Sequence, residues 1–329
     1  MLAPPELPSA RLRLVRLVVG YGAVASALPY LALKLVWLAG GGLGVADERM
    51  MREPSMVVLN VLTAGMDLVA IGIALAFTHE WGTKIPAWLV LPPMWVATGL
   101  LAKFVSAVPV VVVVEALTSD SITRPAAGPV QSWVYTVVYA GFTGMGVGLM
   151  LAFILYARVR WCDVFEPGVQ RSWPRRTHSV QVPLAAASAT MAVGVGGLHL
   201  AWAFGAELGV PPELAAERTI ASSLINAIDA GVMIAGAAGV LIMVHGISRR
   251  VPFWIPLALA WVGGAFLFAW GLWHMIVVLG NTPLARGGGM VLVNVASLVR
   301  LIAGLVIGIL MLFVVTEREA SVASPVVAS

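Results

Sequence analysis

The sequence predicts an all-α, polytopic membrane protein whose eight transmembrane helices form two parallel four-helix repeats. Three observations carry that expectation. The chain is 60% hydrophobic and 11% charged, whereas a soluble domain carries about 25% charged residues. It holds eight apolar runs, at 17–39, 56–78, 86–115, 131–157, 183–205, 224–246, 252–279 and 290–315, which approach or exceed the ~20 residues a helix needs to cross a bilayer. It also contains one module written twice. Leu33–Val45 reads LKLVWLAGGGLGV and Leu198–Val210 reads LHLAWAFGAELGV, so Trp37 falls on Trp202, Gly40 on Gly205 and Leu43-Gly44-Val45 on Leu208-Gly209-Val210. The register continues with Asn60 on Asn226, Gly65 on Gly231, His79 on His245, Pro86 on Pro252, Trp88 on Trp254 and Trp95 on Trp261. The repeats occupy residues 1–157 and 183–329, with a basic linker at 158–182 between them.

Each run is read as a helix because lipid offers the backbone no hydrogen bonds, so every span must close its own. The first follows Arg11, Arg13 and Arg16 and contains Ala25-Ser26-Ala27, a pattern shared with signal peptides. Cleavage there would leave a remnant too short to span and would remove the partner of residues 183–205, so an intact first helix is expected. The third run carries Pro92, Pro93 and Pro109 and the seventh carries Pro256; with Pro29 in the first, these are read as simple bends or as kinks whose freed carbonyls line a cavity. The fourth and eighth runs carry Gly144 with Gly148 and Gly304 with Gly308, small-xxx-small pairs that let backbones approach closely. The Pro-rich start and the tail after Glu319 are expected to be unstructured ends.

Lysines and arginines set the expected topology. Twelve lie at the N-terminus, at the C-terminus or in the connections after the second, fourth and sixth runs, against five in the other connections. The positive-inside rule then puts both termini in the cytoplasm of a multi-pass cell-membrane protein. Four spans per repeat, an even number, give both copies the same orientation and a pseudo-two-fold axis along the membrane normal. The linker, with Arg158, Arg160, Arg171, Arg175 and Arg176, is read as lying against anionic headgroups or as a plain topology anchor. The net charge of +4 comes from these membrane-end residues and does not suggest nucleic acid. The single cysteine, Cys162, excludes an internal disulfide, a CxxC pair and a thiolate metal cage.

Ionisable residues inside spans are costly, ~2.5–3.5 kcal/mol each on insertion scales, and mark candidate sites. In the second repeat, His199, Asn226, Asp229, His274, Asn294 and Arg300 fall at one depth, in the half of the membrane expected to face outward. Asn226 and Asp229 share a helix face at i,i+3, as do His199 and Trp202, while Trp270 and His274 stand at i,i+4. His199, Asp229, His274 and Arg300 are the candidate catalytic set: either histidine as general acid or base, Asp229 orienting it, Arg300 stabilising an anion. Asn226 and Asn294 are candidate substrate-binding residues. The same layer equally suits a buried ion-pair network that fixes helix register. The two histidines and the carboxylate could together ligate a metal with an open position, but no HxxxH or ExxH pair appears on any helix, so no metal site is assigned, and the sequence leaves the cofactor unknown.

The first repeat carries different chemistry at matching places. Lys34 stands where the second copy has His199, and Thr63 where it has Asp229, while Asn60 keeps the place of Asn226. Asp67 lies one turn from Thr63, which makes Lys34–Asp67 a candidate intramembrane pair. Lys103 and Glu115 fall in the third span, and Tyr135 and Tyr139 in the fourth. Lys34, Asn60, Asp67 and Lys103 are candidate substrate-binding residues, a second half-site suited to one asymmetric small molecule. His79 and His245 sit at matching helix ends, where a cation is favoured.

The segment His199-Leu200-Ala201-Trp202-Ala203-Phe204-Gly205 reads H-x-x-W-A-x-G. It resembles a motif in the first helix of small four-span bacterial membrane proteins of unknown function, and covers about a third of each repeat. The resemblance implies a tandem fusion of two such modules and draws attention to His199. The first copy departs from it with Lys34.

No nucleotide-binding, haem-attachment, nucleophile-elbow or zinc-protease motif is present. The partners expected are the lipid bilayer and a lipophilic or amphipathic small molecule. Three functions remain: acid–base chemistry on such a molecule, proton-coupled transport or export of it, and service as an accessory membrane subunit.

Overall fold

Apolar runs of this length, flanked by proline, glycine and polar residues, fold as continuous helices in the computed structural model, which describes residues 10–118, 130–165, 177–216, 218–246, 252–285 and 290–323. Eight long apolar helices are present: α1 (Ala10–Leu38), α2 (Pro54–Thr78), α3 (Ala87–Thr118), α4 (Ser132–Arg160), α5 (His178–Ala203), α6 (Ile220–His245), α7 (Trp254–Leu279) and α8 (Val291–Ala323). The chain is therefore an all-α multi-pass membrane protein. No β-strand occurs among the described residues, only an isolated bridge between Val45 and Val130. Local chemistry sets the ends. Pro54 starts α2 at a position whose N–H needs no partner. Thr219 and Ser222 cap α6 reciprocally, and Gly246 ends it at φ 64°.

Helix takes up both ends of the expected linker at 158–182. Arg158 and Arg160 lie in the last turn of α4, where cations suit the carbonyl end. Gln181 is buried in α5 and donates from Nε2 to Glu317 of α8 at 3.0 Å, and Thr177 donates to the same carboxylate through its backbone N–H and its hydroxyl. Arg171, Arg175 and Arg176 lie outside the described residues, as do most of the expected unstructured ends.

The chain packs as two compact units, residues 1–94 with 128–162 and residues 95–127 with 163–329. In the first, α1 packs on α2 and α4. Gly144 and Gly148 make the α1–α4 approach possible, because a Cβ at Gly148 would stand 2.7 Å from Ala23 Cβ and one at Gly144 2.5 Å from Ser26 Oγ. In the second, α5, α6, α7 and α8 form a closed ring in which α8 returns to α5. Here α6 meets α7 backbone to backbone at Gly236 and Gly263, and α8 meets α7 at Gly304, where a Cβ would lie 2.3 Å from Phe268 N.

The part of α3 from Trp95 onward belongs to the second unit and lies along α7. Trp95 Nε1 donates to Trp261 O at 3.1 Å, and Trp261 Nε1 donates to Thr98 Oγ1 at 3.3 Å. Gly99 sits against the backbone of Ala265, and the rings of Phe104 and Trp270 lie 6.3 Å apart.

The loops after α1 and α5 close alike. Trp37 Nε1 donates to Leu43 O at 2.8 Å and Trp202 Nε1 to Leu208 O at 2.9 Å. Gly40 and Gly205 take φ of 88° and 99°, and Gly44 and Gly209 take 72° and 68°, conformations that side chains resist. Gly44 abuts the start of α4 at Val134, and Gly209 abuts the start of α8 at Leu292.

Close backbone approach makes a direct expectation for thermal unfolding in detergent. Gly304→Ala, forced against α7 backbone, costs about 1–3 kcal/mol. Gly65→Ala, whose Cβ meets nothing within 4 Å, is neutral or stabilises by up to ~1 kcal/mol. Equal melting of the two variants would contradict this packing.

Candidate functional site

The second unit gathers polar side chains at the end of its ring where α5 and α7 finish and α6 and α8 begin. His199 lies near the end of α5, Asn226 and Asp229 in the first half of α6, His274 near the end of α7, and Asn294 and Arg300 in the first third of α8. The structure thus brings the six sequence-predicted residues to one end of one unit, five of them in three separate pairs and Arg300 apart from these.

The first is a histidine–asparagine pair. Asn226 Nδ2 donates to Ser222 O at 2.8 Å. A carbonyl only accepts, so this bond fixes the amide orientation and leaves Asn226 Oδ1 facing His199 Nδ1 at 2.9 Å. His199 Nδ1 is therefore the donor, and in the neutral ring Nε2 carries the lone pair. The ring also packs edge-on against Trp202, with centroids 5.0 Å apart. Sequence spacing suggests Asp229 as the orienting group, but Asp229 Oδ2 stands 4.0 Å from His199 Nδ1, beyond a hydrogen bond. Asn226 orients the histidine instead.

The second is an ion pair. Lys103 Nζ lies 2.9 Å from Asp229 Oδ2, and the ammonium stands 4.7 Å above the Trp270 ring. Sequence position places Lys103 with the polar residues of the first repeat; the structure places it in the second unit, against Asp229. Asp229 is 1% exposed, and its Oδ1 is buried without a hydrogen-bond partner among the described residues.

The third is His274 Nε2 against Asn294 Oδ1 at 2.9 Å, tying α7 to α8. About 9 Å further along α8, six residues at 1.5 Å each, Arg300 is buried with its guanidinium 5.3 Å from the Phe266 ring. Arg300 is within coulombic reach of Asp229 and His199 but forms no ion pair with Asp229 among the described residues. Among the described residues its Nε and Nη2 have no hydrogen-bond partner, and neither has Trp270 Nε1. Two cations, Lys103 and Arg300, thus lie near one carboxylate, Asp229.

In the first unit, Lys34 Nζ lies 2.7 Å from Asp67 Oδ2 and 4.1 Å from the centre of the Tyr30 ring, and Lys34 is 0% exposed. Asn60 is buried but takes no part in that pair. Thr63 turns its hydroxyl back to Leu59 O. His79 Nε2 contacts the Tyr21 hydroxyl at 3.2 Å, and His245 Nδ1 donates to Leu241 O at 3.0 Å, so the matched histidines have different local partners. No group of three or more His, Cys, Asp or Glu converges as a metal-ligand set among the described residues.

Comparison with protein-family models, with curated proteins and with solved structures finds no match for the chain.

A sealed ion pair is weak as a net stabiliser but costly to halve. Lys34→Met alone should cost about 3–5 kcal/mol in detergent unfolding. Lys34→Met with Asp67→Leu should recover most of that loss. Additive single-variant losses in the double variant would show that the two residues are not coupled.

Proposed function

We propose that this chain is a cell-membrane protein whose second-unit polar cluster binds a lipophilic or amphipathic small molecule and performs acid–base chemistry on it. The observation that carries this reading is the orientation of His199. Asn226, itself fixed by Ser222 O, holds Nδ1 as donor, which leaves Nε2 available to take a proton. His199 is then the general base, Asn226 its positioning residue, and Arg300 the group that stabilises negative charge on the substrate. Lys103 and Asp229 neutralise one another and set the field in which His199 works. His274, with its own asparagine, is the candidate for returning a proton.

The cluster sits in a tandem of two parallel four-span modules with both termini cytoplasmic. Support for the tandem comes from repeat-equivalent residues that touch: Trp95 with Trp261, Gly99 with Ala265 and Phe104 with Trp270. An axis along the membrane normal makes equivalents meet all along two parallel helices. An axis in the membrane plane would bring them together only where two helices cross. The two tryptophan-closed loops add to this support.

A second reading, proton-coupled transport, draws on the Lys–Asp pair within each unit, sealed in the first and part-buried in the second. Protonating either aspartate would release its lysine, and such a pair is a two-state element on which alternating access can turn.

Turnover separates the two. Purified parent protein in detergent, incubated with a bacterial membrane lipid extract and followed by mass spectrometry, should convert at least one species. His199→Ala should slow that conversion by roughly 10²–10⁴-fold. Asn226→Ala should slow it less, since the base remains but loses its fixed tautomer. No conversion in detergent, with uncoupler-sensitive accumulation in sealed vesicles, would replace the catalytic reading with transport.

A further inference from the structure

An arginine side chain presents its donors in a fixed planar fork. Nε–H and one Nη2–H point the same way, parallel, and match the two oxygens of a carboxylate or a phosphate. In Arg300 these two nitrogens, Nε and Nη2, are the ones without a hydrogen-bond partner among the described residues. The residue is 8% exposed, so bulk solvent does not reach this fork.

The nearby carboxylate does not fill the fork. Asp229 lies within coulombic reach of Arg300, but its Oδ2 is held by Lys103 at 2.9 Å. A buried cation left in this state costs several kcal/mol, and the cost falls when an anion completes it. The position also limits what that anion is attached to. Arg300 lies nine residues into α8, about 14 Å along the helix, with the buried Phe266 ring against its guanidinium. Trp270 follows Phe266 one turn on along α7, and its Nε1 is a further unpartnered donor. A charge carried to this depth among apolar helices is best borne on a molecule whose remainder is apolar.

We propose that Arg300 binds, through Nε and Nη2, the two-oxygen anionic group of an amphipathic molecule. This rests on reading the cluster as a ligand site, and it names the class of molecule that site takes: an acid with an apolar body, carrying either a carboxylate or a lipid phosphate. His199 then stands within electrostatic reach of the bound anion, and the chemistry falls on the part of the molecule adjoining its acidic group.

The test is ligand-dependent thermal unfolding of delipidated protein in nonionic detergent, with dodecanoate, dodecanol, dioleoyl phosphatidate and inorganic phosphate as probes. Dodecanoate or phosphatidate should raise the melting temperature of the parent, and dodecanol and inorganic phosphate should not. Whichever of the two anions acts identifies the carboxylate or the lipid phosphate as the source. Arg300→Lys, which keeps the charge and loses the fork, should weaken the effective anion by roughly tenfold or more. Arg300→Gln should abolish the shift. Arg52→Gln, at an exposed arginine, should leave it intact. The proposal is overturned if neither amphiphilic anion shifts the parent, if the shift survives in Arg300→Lys at full strength, or if dodecanol or inorganic phosphate gives the same shift. Binding needs no turnover, so an Arg300-dependent shift in a protein with no His199-dependent conversion would retain this inference and remove the catalytic one.

Discussion

Inside a bilayer a charged side chain finds its counter-charge within the protein or goes without one, and the Lys103–Asp229 pair decides how the second unit meets that constraint. By taking Asp229 Oδ2, Lys103 ties α3 to α6. The same contact occupies Oδ2 only, and Oδ1 has no hydrogen-bond partner among the described residues. His199 is left to Asn226, which sets its tautomer. Arg300 is left with its side-on fork unpartnered. Were Asp229 to form a bidentate pair with Arg300 instead, the guanidinium fork would be filled and Lys103 would become the unpaired cation.

The two units handle the same problem differently, and the divergence falls at matched positions. Lys34 and Asn60 in the first copy stand where His199 and Asn226 stand in the second. The second copy joins its two residues across α5 and α6. In the first, Lys34 turns to Asp67, which has no acidic counterpart in the second copy, and Tyr30 closes over the ammonium. The Lys34–Asp67 pair is sealed, whereas the Lys103 side chain is 25% exposed. A sealed pair suits a structural clamp, and a partly open one beside unmatched donors suits a site.

The spans were legible because apolar length alone determines what a bilayer accepts, and α1 to α8 begin and end near the runs read from composition. Position along the helices was legible too: chain direction grouped His199, Asn226, His274 and Asn294 at one end of the second unit. Lys34–Asp67 was visible as opposite charges on neighbouring spans. Lys103 was misplaced because chain order assigned it to the first repeat, while packing follows shape. Repeat-equivalent contacts along α3 and α7 carry it to Asp229, and the matched tryptophans Trp95 and Trp261 were the available hint. The roles within the cluster were not legible, since helical spacing puts Asn226 and Asp229 on one face without saying which of them a histidine meets. The latch of Thr177 and Gln181 on Glu317 was hidden because that stretch read as linker.

The central claim is that the cluster is held for a ligand at a cost to the resting protein. Unfolding of delipidated Arg300→Met against the parent tests it most directly. A methionine fills much the same space without the charge. If the unpartnered guanidinium is kept for binding, the variant melts at or above the parent, as buried charges replaced by apolar groups often do. A variant destabilised by about 3–5 kcal/mol would show that Arg300 holds the helices together, and would contradict the account.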